Sequence, residues 1–129
     1  MVILDTNIII DHLRQIGAQE TAFIKIAQKI TRENLGISVI TIQELYEGMS
    51  TKNAKTEEYL LDIVSPLKIY PYTYETAQLA GEIARDFAPG SIEFADAAIA
   101  ATAIVNGAVF ATLNKRHFVG IEDLEFFNI

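Results

Sequence analysis

The sequence contains no cysteine, so disulfide scaffolds, thiolate metal sites and cysteine nucleophiles are excluded at once. Proline is scarce. Pro66, Pro71 and Pro89, like the seven glycines, fall singly between periodic segments, and no linker-like, repetitive or low-complexity stretch divides the chain. No apolar run reaches the ~18 residues that a membrane span requires. The opening Met1-Val2-Ile3-Leu4-Asp5 has no basic stretch of the kind that starts a signal peptide. Positive charge is also scarce: ten Lys and Arg against 17 Asp and Glu give a net charge of −7, which argues against a basic-patch nucleic-acid binder. What the chain has in quantity is apolar residues, 50% of 129. That content can bury roughly two-thirds of the unfolded surface and rules out an acidic disordered tail. One soluble, cytoplasmic domain over residues 1–129 is the expectation, with no membrane partner.

The acidity is uneven. Residues 1–55 hold six basic and six acidic residues, whereas residues 56–129 hold four basic and 11 acidic ones. Periodicity gives the elements. Val2-Ile3-Leu4 is a β-branched run ended by Asp5, read as a strand buried on both faces. Helices are expected over Ile8 to Arg14 and Glu20 to Thr31, where Phe23, Ile26, Ala27 and Ile30 recur at helical spacing. Gly36 to Val39 reads as a second strand, and Thr41 opens a helix as a capping box with Glu44 three residues on. A helix over 54–64 ends before Pro66. Lys68-Ile69-Tyr70 is a third strand, followed by a helix over Thr73 to Phe87 with Ala77, Ala80, Ile83, Ala84 and Phe87 inward. Glu93 to Asn106 is a small-residue helix stopped by Gly107. Ala108 to Ala111 is a fourth strand, and Glu125 to Ile129 suits a fifth. This alternation predicts an α/β fold: a central parallel sheet of four to five strands with helices on both faces. Ligands of such sheets sit at the carboxyl ends of the strands.

Three acids fall where that rule places a site. Asp5 directly follows the first strand, Glu44 sits in the first turn of the helix after the second, and Asp96 lies near the start of the helix leading into the fourth. Asn114 follows the fourth strand. Only a fold can bring together residues so far apart in sequence. Local readings stay open beside this one: Asp5 also suits an N-cap, and Glu44 suits the acid partner of Thr41. Asp96 has Ile92, Ile99, Ala100 and Ala103 at helical spacing, so it is expected on a buried apolar stripe, with no Lys or Arg within a turn. A buried carboxylate needs a cation, a donor or a proton. Acids without basic partners are what hard divalent cations such as Mg²⁺ or Mn²⁺ bind. Two histidines and no His-x-x-His spacing make zinc a poor fit, and neither a Gly-x-Ser-x-Gly elbow nor a Gly-rich phosphate loop occurs. The residues therefore point to an acid-lined metal site acting on a phosphate ester.

Four stretches carry a resemblance. Val2-Ile-Leu-Asp5-Thr6-Asn7-Ile-Ile-Ile-Asp11 and Ser38-Val-Ile-Thr41-Ile-Gln-Glu44-Leu45-Tyr-Glu-Gly48 resemble the opening motifs of PIN-domain ribonucleases. Phe94-Ala-Asp96-Ala-Ala-Ile-Ala-Ala101 and Ala111-Thr112-Leu-Asn114-Lys-Arg-His117-Phe118 resemble their third and fourth. The likeness is greatest to the VapC-type toxins of toxin–antitoxin pairs and runs from residue 1 to about 118. It implies a single PIN-like three-layer α/β/α domain in which Asp5, Glu44 and Asp96 bind metal, Thr6 and Asn7 shape the first turn, and Thr112 supports the metal or its waters. The fourth acid of the family falls at Asn114. An amide there lacks the charge to hold a second cation, so one firmly held metal is implied, with a second arriving only with substrate. The chemistry implied is metal-dependent endonucleolytic hydrolysis of an RNA phosphodiester, by in-line attack of an acidified water. The partners implied are RNA, a second copy in a homodimer, and a small antitoxin whose tail lies in a groove lined by helices 20–31 and 54–64. An arginine of that tail would enter among the acids.

Other residues carry weaker expectations. Arg14, Lys115 and Arg116 are candidate substrate contacts, whereas Lys25, Lys29 and Arg32 suit a solvated helix face. His117 reads as a structural imidazole or a general acid. Tyr70, Tyr72 and Tyr74 read as core or dimer packing or a stacking platform. Glu47, Glu93 and Asp11 lie beside the site without a required role. Three rivals compete: a degenerate PIN-like module that only binds a partner, an aspartyl-phosphate phosphotransferase with Asp5 as nucleophile, and a receiver-type domain. The second would want an acid at position 7, which is Asn. The third would want an Asp after the third strand, where Tyr70-Pro71-Tyr72 stand.

Overall fold

A computed structural model of the chain describes residues 1–87 and 91–129; Pro89, read above as punctuation, lies outside them. Strands β1 (Val2–Leu4), β2 (Leu35–Ser38), β3 (Lys68–Tyr70) and β4 (Val109–Ala111) form one sheet in the order β3-β2-β1-β4, with every adjacent pair parallel. The helices are α1 (Thr6–Arg14), α2 (Ala22–Lys29), α3 (Val39–Glu47), α4 (Ala54–Val64), α5 (Tyr74–Asp86) and α6 (Phe94–Val105). Side-chain alternation along β1 sets the layers. Val2 and Leu4 join Leu35 and Ile37 of β2 in a core with Ile8, Phe23, Ile26 and Leu60 of α1, α2 and α4. Ile3 turns the other way, into a second core with Phe110, Ile83 of α5 and the alanines of α6. The three-layer α/β/α arrangement expected from the sequence is the one observed.

Local chemistry explains most boundaries. Thr21, Asn53 and Thr73 cap α2, α4 and α5 through their side-chain oxygens. Gly107 ends α6 at φ +62°, where the Gly107 N–H bonds Ile104 O at 3.1 Å and the Ala108 N–H bonds Ala103 O at 2.9 Å. This double bond pattern needs a left-handed residue. Gly36 is required for a different reason: a Cβ there would lie 2.7 Å from Tyr70 Cε2. Tyr70 is thereby a core residue, Tyr72 packs against Phe94 at 6.2 Å between centroids, and Tyr74 stands in solvent.

Three expectations need correction. Helix α3 is capped by Ser38, whose Oγ accepts the Ile40 N–H at 3.0 Å, so Thr41 is not the N-cap but a buried residue inside the helix. The first helix starts at Thr6 rather than Ile8, because Asp5 caps it. Among the described residues no fifth strand forms. Phe126 makes one parallel bridge to Phe110, and the Phe110 N–H and C=O both serve this segment. Val109 and Ala111 spend their backbone groups on β1 instead, through Met1 O at 3.0 Å and the Asp5 N–H at 2.8 Å. A three-residue strand so paired leaves only its middle residue for another neighbour.

Candidate active site

The chain enters the sheet at β1, adds β2 and β3 on one side, and returns to place β4 on the other. The crevice at the carboxyl ends of β1 and β4 is thus the switch point where open α/β sheets bind ligands. A cleft of about 160 Å³ opens there, lined by Asp5, Thr6, Asn7, Glu44, Asp96, Asn114 and His117, with Ile10 and Phe118 as its apolar part. The four residues expected from four distant segments therefore meet in one cleft.

Asp5 is 5% exposed. Its Oδ1 accepts the Thr6 N–H at 2.8 Å, so Asp5 is the N-cap of α1, and its Oδ2 accepts the Thr112 hydroxyl at 2.7 Å. Thr112 Oγ1 in turn accepts Asn7 Nδ2 at 3.3 Å and the Asn114 N–H at 3.0 Å, while Asn7 Oδ1 accepts the Leu113 N–H at 3.3 Å. The residue after β1 is in this way tied to the segment after β4. Burial pushes the Asp5 carboxyl from 3.8 up to about 6, with the negative Asp96 and Glu44 adding to the rise and the bonds from Thr112 and Thr6 opposing it.

Glu44 is half-buried, and its Oε1 lies 2.6 Å from Thr6 Oγ1, which also lies 2.9 Å from the buried Thr41 Oγ1. Thr6 carries one hydroxyl proton. The carboxylate takes it, and Thr41 supplies the other bond. Thr41 was missed as a site residue because Thr-x-x-Glu fits a capping box and a shared helix face equally well. Asp96 is half-buried rather than buried: it lies in the first turn of α6, where the apolar stripe that continues through Ala97–Ala103 reaches the cleft. Burial, then Glu44 and Glu93, raise its carboxyl, and His117 opposes them. Asn114 and His117 are exposed, and both line the cleft.

Several expected residues stay outside the cleft. Arg14, Lys115 and Arg116 are exposed and do not line it, and Lys115 Nζ sits over the Phe126 ring at 5.1 Å from its centroid. Lys25, Lys29 and Arg32 are solvent-facing, with Arg32 over Phe23 at 5.4 Å. Asp11 accepts from Gln15 Nε2 at 2.7 Å and Glu47 from Gln43 Nε2 at 3.0 Å, both away from the acids.

The donor set suits a hard cation: carboxylates and an amide, one carboxylate buried without a positive partner, and no Lys or Arg among the lining residues. Among the described residues no three His, Cys, Asp or Glu side chains stand close enough to cage an ion unaided. The acids face a shared cleft rather than a single point.

The PIN domain model matches residues 2–123, over the elements and the cleft just described, and the chain belongs to the PIN-domain family. Within that family the chain is 32% identical over 127 residues to Ribonuclease VapC10 of Mycobacterium tuberculosis, covering 97% of this chain and 91% of that protein. Among solved structures it is similar to DNA-bound VapBC from Salmonella typhimurium, at 26% identity and a TM-score of 0.81 over 98% of this chain and 96% of that one. VapBC2 from Rickettsia felis, bound to a promoter DNA fragment, gives 27% identity and a TM-score of 0.78 over 100% and 99%. No helix among the described residues is long and apolar enough to cross a membrane.

Proposed function

We propose that this chain is a Mg²⁺- or Mn²⁺-dependent endoribonuclease and the toxin of a toxin–antitoxin pair, with residues 1–129 acting as one nuclease domain in the cytoplasm. The observation that carries the reading is the meeting of Asp5, Glu44, Asp96 and Asn114 in a cleft at the switch point that no Lys or Arg lines. The ribonuclease name of VapC10 and the toxin–antitoxin complexes among the structural neighbours support it. Asp5 and Asp96 are the metal-holding carboxylates, and Glu44 joins them directly or through water. When bound, the cation acidifies an attacking water and neutralises charge on the phosphoryl oxygens.

The chain's own residues prepare this. Thr112 and the Thr6 N–H fix both oxygens of Asp5, so the carboxylate loses little freedom on engaging a ligand. The Thr6 hydroxyl holds Glu44 at the opposite side of the same turn. Asn7 ties the segment after β4 to α1, and the exposed Asn114 amide presents a neutral donor and acceptor to substrate or to a second ion that comes with it. Ile10 and Phe118 close the apolar end of the cleft. The partners follow: an RNA strand, a second copy in a homodimer, and an antitoxin whose arginine pairs with the clustered acids in the resting complex.

The test is cleavage of RNA in Mg²⁺, Mn²⁺ or EDTA by the wild type, Asp5→Asn and Asp96→Asn. Cutting should require the cation, and each substitution should abolish it. Cutting that survives EDTA or either substitution rejects the mechanism. Binding of RNA without any cutting would favour the binding-only module.

A further inference from the structure

We propose that a second cavity, between the last turns of α5 and α6, docks a basic protein segment that inserts one apolar side chain. The cavity, of about 350 Å³, shares no residue with the cleft. From Asp96 in the first turn of α6 to Ile104 at this cavity, the helix rises about 12 Å. Its floor is apolar, with Ile83 and Ile121 buried and Leu79 and Ile104 half-buried. Phe87 closes one wall against the turn at Gly120, where a Cβ would come within 3.1 Å of Phe87 Cε2. The rim is of one sign: Glu82, Asp86, Glu122 and Asp123 are exposed, and no Lys or Arg lines the cavity. Asp86 holds Arg85 at 2.6 Å, whereas Glu82, Glu122 and Asp123 make no ion pair or side-chain hydrogen bond among the described residues. Four of the 11 acids of residues 56–129 thus stand at one rim, which gives the uneven charge of the chain a place in the fold.

The chemistry of the two halves selects the occupant. Four carboxylates repel a phosphate backbone, so RNA is disfavoured here. A bare cation finds no ligands on the apolar floor, and a polyamine has no side chain to bury in it. A second copy of the chain would have to present its basic residues head-to-tail, a contact that yields rings or filaments rather than a dimer. Lys and Arg meet both halves at once, because their methylene stems lie on apolar surface while their charged heads stay in water beside the acids. An apolar neighbour in the same segment fills the floor. Its burial supplies most of the affinity, and the exposed ion pairs each add little but fix the sign of the partner.

The probe is a fluorescein-labelled peptide, Arg-Arg-Leu-Leu-Arg-Arg, titrated with the full chain at low salt and followed by anisotropy. Wild type should bind it at micromolar concentrations, and should bind Arg-Arg-Ser-Ser-Arg-Arg about tenfold more weakly. Glu82→Gln with Glu122→Gln should weaken the leucine peptide by about fivefold. Glu20→Gln with Glu33→Gln, an equal change of net charge elsewhere on the surface, should leave it unchanged, as should Asp96→Asn at the cleft. Leu79→Glu separates floor from rim, since it adds an acid while removing apolar surface. Binding should fall, whereas a patch that acts by charge alone would bind better. The two peptides read the floor without altering the chain, so a Leu79→Glu variant that misfolds leaves the test intact. No binding by wild type, equal binding of the two peptides, or equal effects of the two glutamine pairs overturns the site. So does a loss in Asp96→Asn as large as in the rim pair, which places the peptide at the cleft. Displacement by spermine at peptide-like concentrations, or self-association of the chain that the rim pair abolishes, overturns it in favour of a different occupant.

Discussion

On one wall of the cleft Asp5 is buried, and each of its oxygens takes a hydrogen bond, from Thr112 Oγ1 at 2.7 Å and from the Thr6 N–H at 2.8 Å. On the other wall Asp96 is half-buried, and Asn114 and His117 stand in solvent. The two walls differ in what they cost the fold. A carboxylate fixed away from water is pre-organised but disfavours its own charge, while side chains in solvent keep their charge cheaply and give up geometry. The contrast gives the cleft one rigid side and one open side, and on the proposed function the rigid side would set the position of the cation.

The largest break in that comparison is Asp5→Asn. The folded chain holds the Asp5 proton more tightly than the unfolded chain, since the carboxyl titrates at about 6 instead of 3.8. The stability that this protonation contributes is full below about pH 4, falls as pH rises through 6, and is gone above it. At pH 7.5 the ionised group therefore costs the fold up to about 3 kcal/mol. Asp5→Asn should abolish cleavage and still raise Tm by several degrees at pH 7.5, with no gain at pH 4. Mn²⁺ should raise the Tm of wild type and not that of the variant. Scanning calorimetry at the two pH values, with and without the ion, checks this; a variant less stable than wild type at pH 7.5 would show that the buried charge is not the cost.

A smaller effect on the same wall comes from Thr112→Val. It removes the donor to Asp5 and leaves Asn7 Nδ2 and the Asn114 N–H without their acceptor. Loss of about 1–3 kcal/mol is expected at pH 7.5, and less at pH 4, where Asp5 is neutral. Denaturant melts read this directly, and Thr112→Ser should restore most of the stability. Equal losses at both pH values would mean that the hydroxyl packs rather than serves the carboxylate.

Much of this was legible in the sequence because it depends on period and on strand ends. Four short apolar runs separated by amphipathic helices specified the parallel sheet, and acids directly after strands specified the carboxyl-edge cleft. What escaped were features set by tertiary environment. Thr41-Ile-Gln-Glu44 has the spacing of a capping box, yet Ser38 at the end of β2 had already taken the cap, which freed Thr41 to face Thr6. The stripe beside Asp96 gave its face but not the point at which α6 leaves the core. His117 follows three polar residues, and nothing local revealed that it lines the cleft beside Phe118, which is buried in the second core. The extra strand over 125–129 failed because pairing capacity along β4 is a property of its neighbours, not of its own residues.

The smallest effect sharpens the open wall. Asn114 contributes its backbone N–H to Thr112 and leaves its side chain exposed, so Asn114→Asp adds a charge without touching the buried network. In EDTA the added repulsion toward Asp96 and Asp5 should lower stability by no more than about 0.5 kcal/mol and fade as salt is raised. In Mn²⁺ the sign should reverse, with thermal stabilisation reaching its midpoint at a several-fold lower ion concentration, because the new carboxylate supplies the charge that the amide lacks. A Mn²⁺ titration followed by Tm separates the cases. If Asn114→Asp destabilises the chain as much as Thr112→Val does, this wall is as constrained as the first and the contrast between them is lost. A small loss recovered by the ion means that the open wall tolerates charge where the buried wall does not.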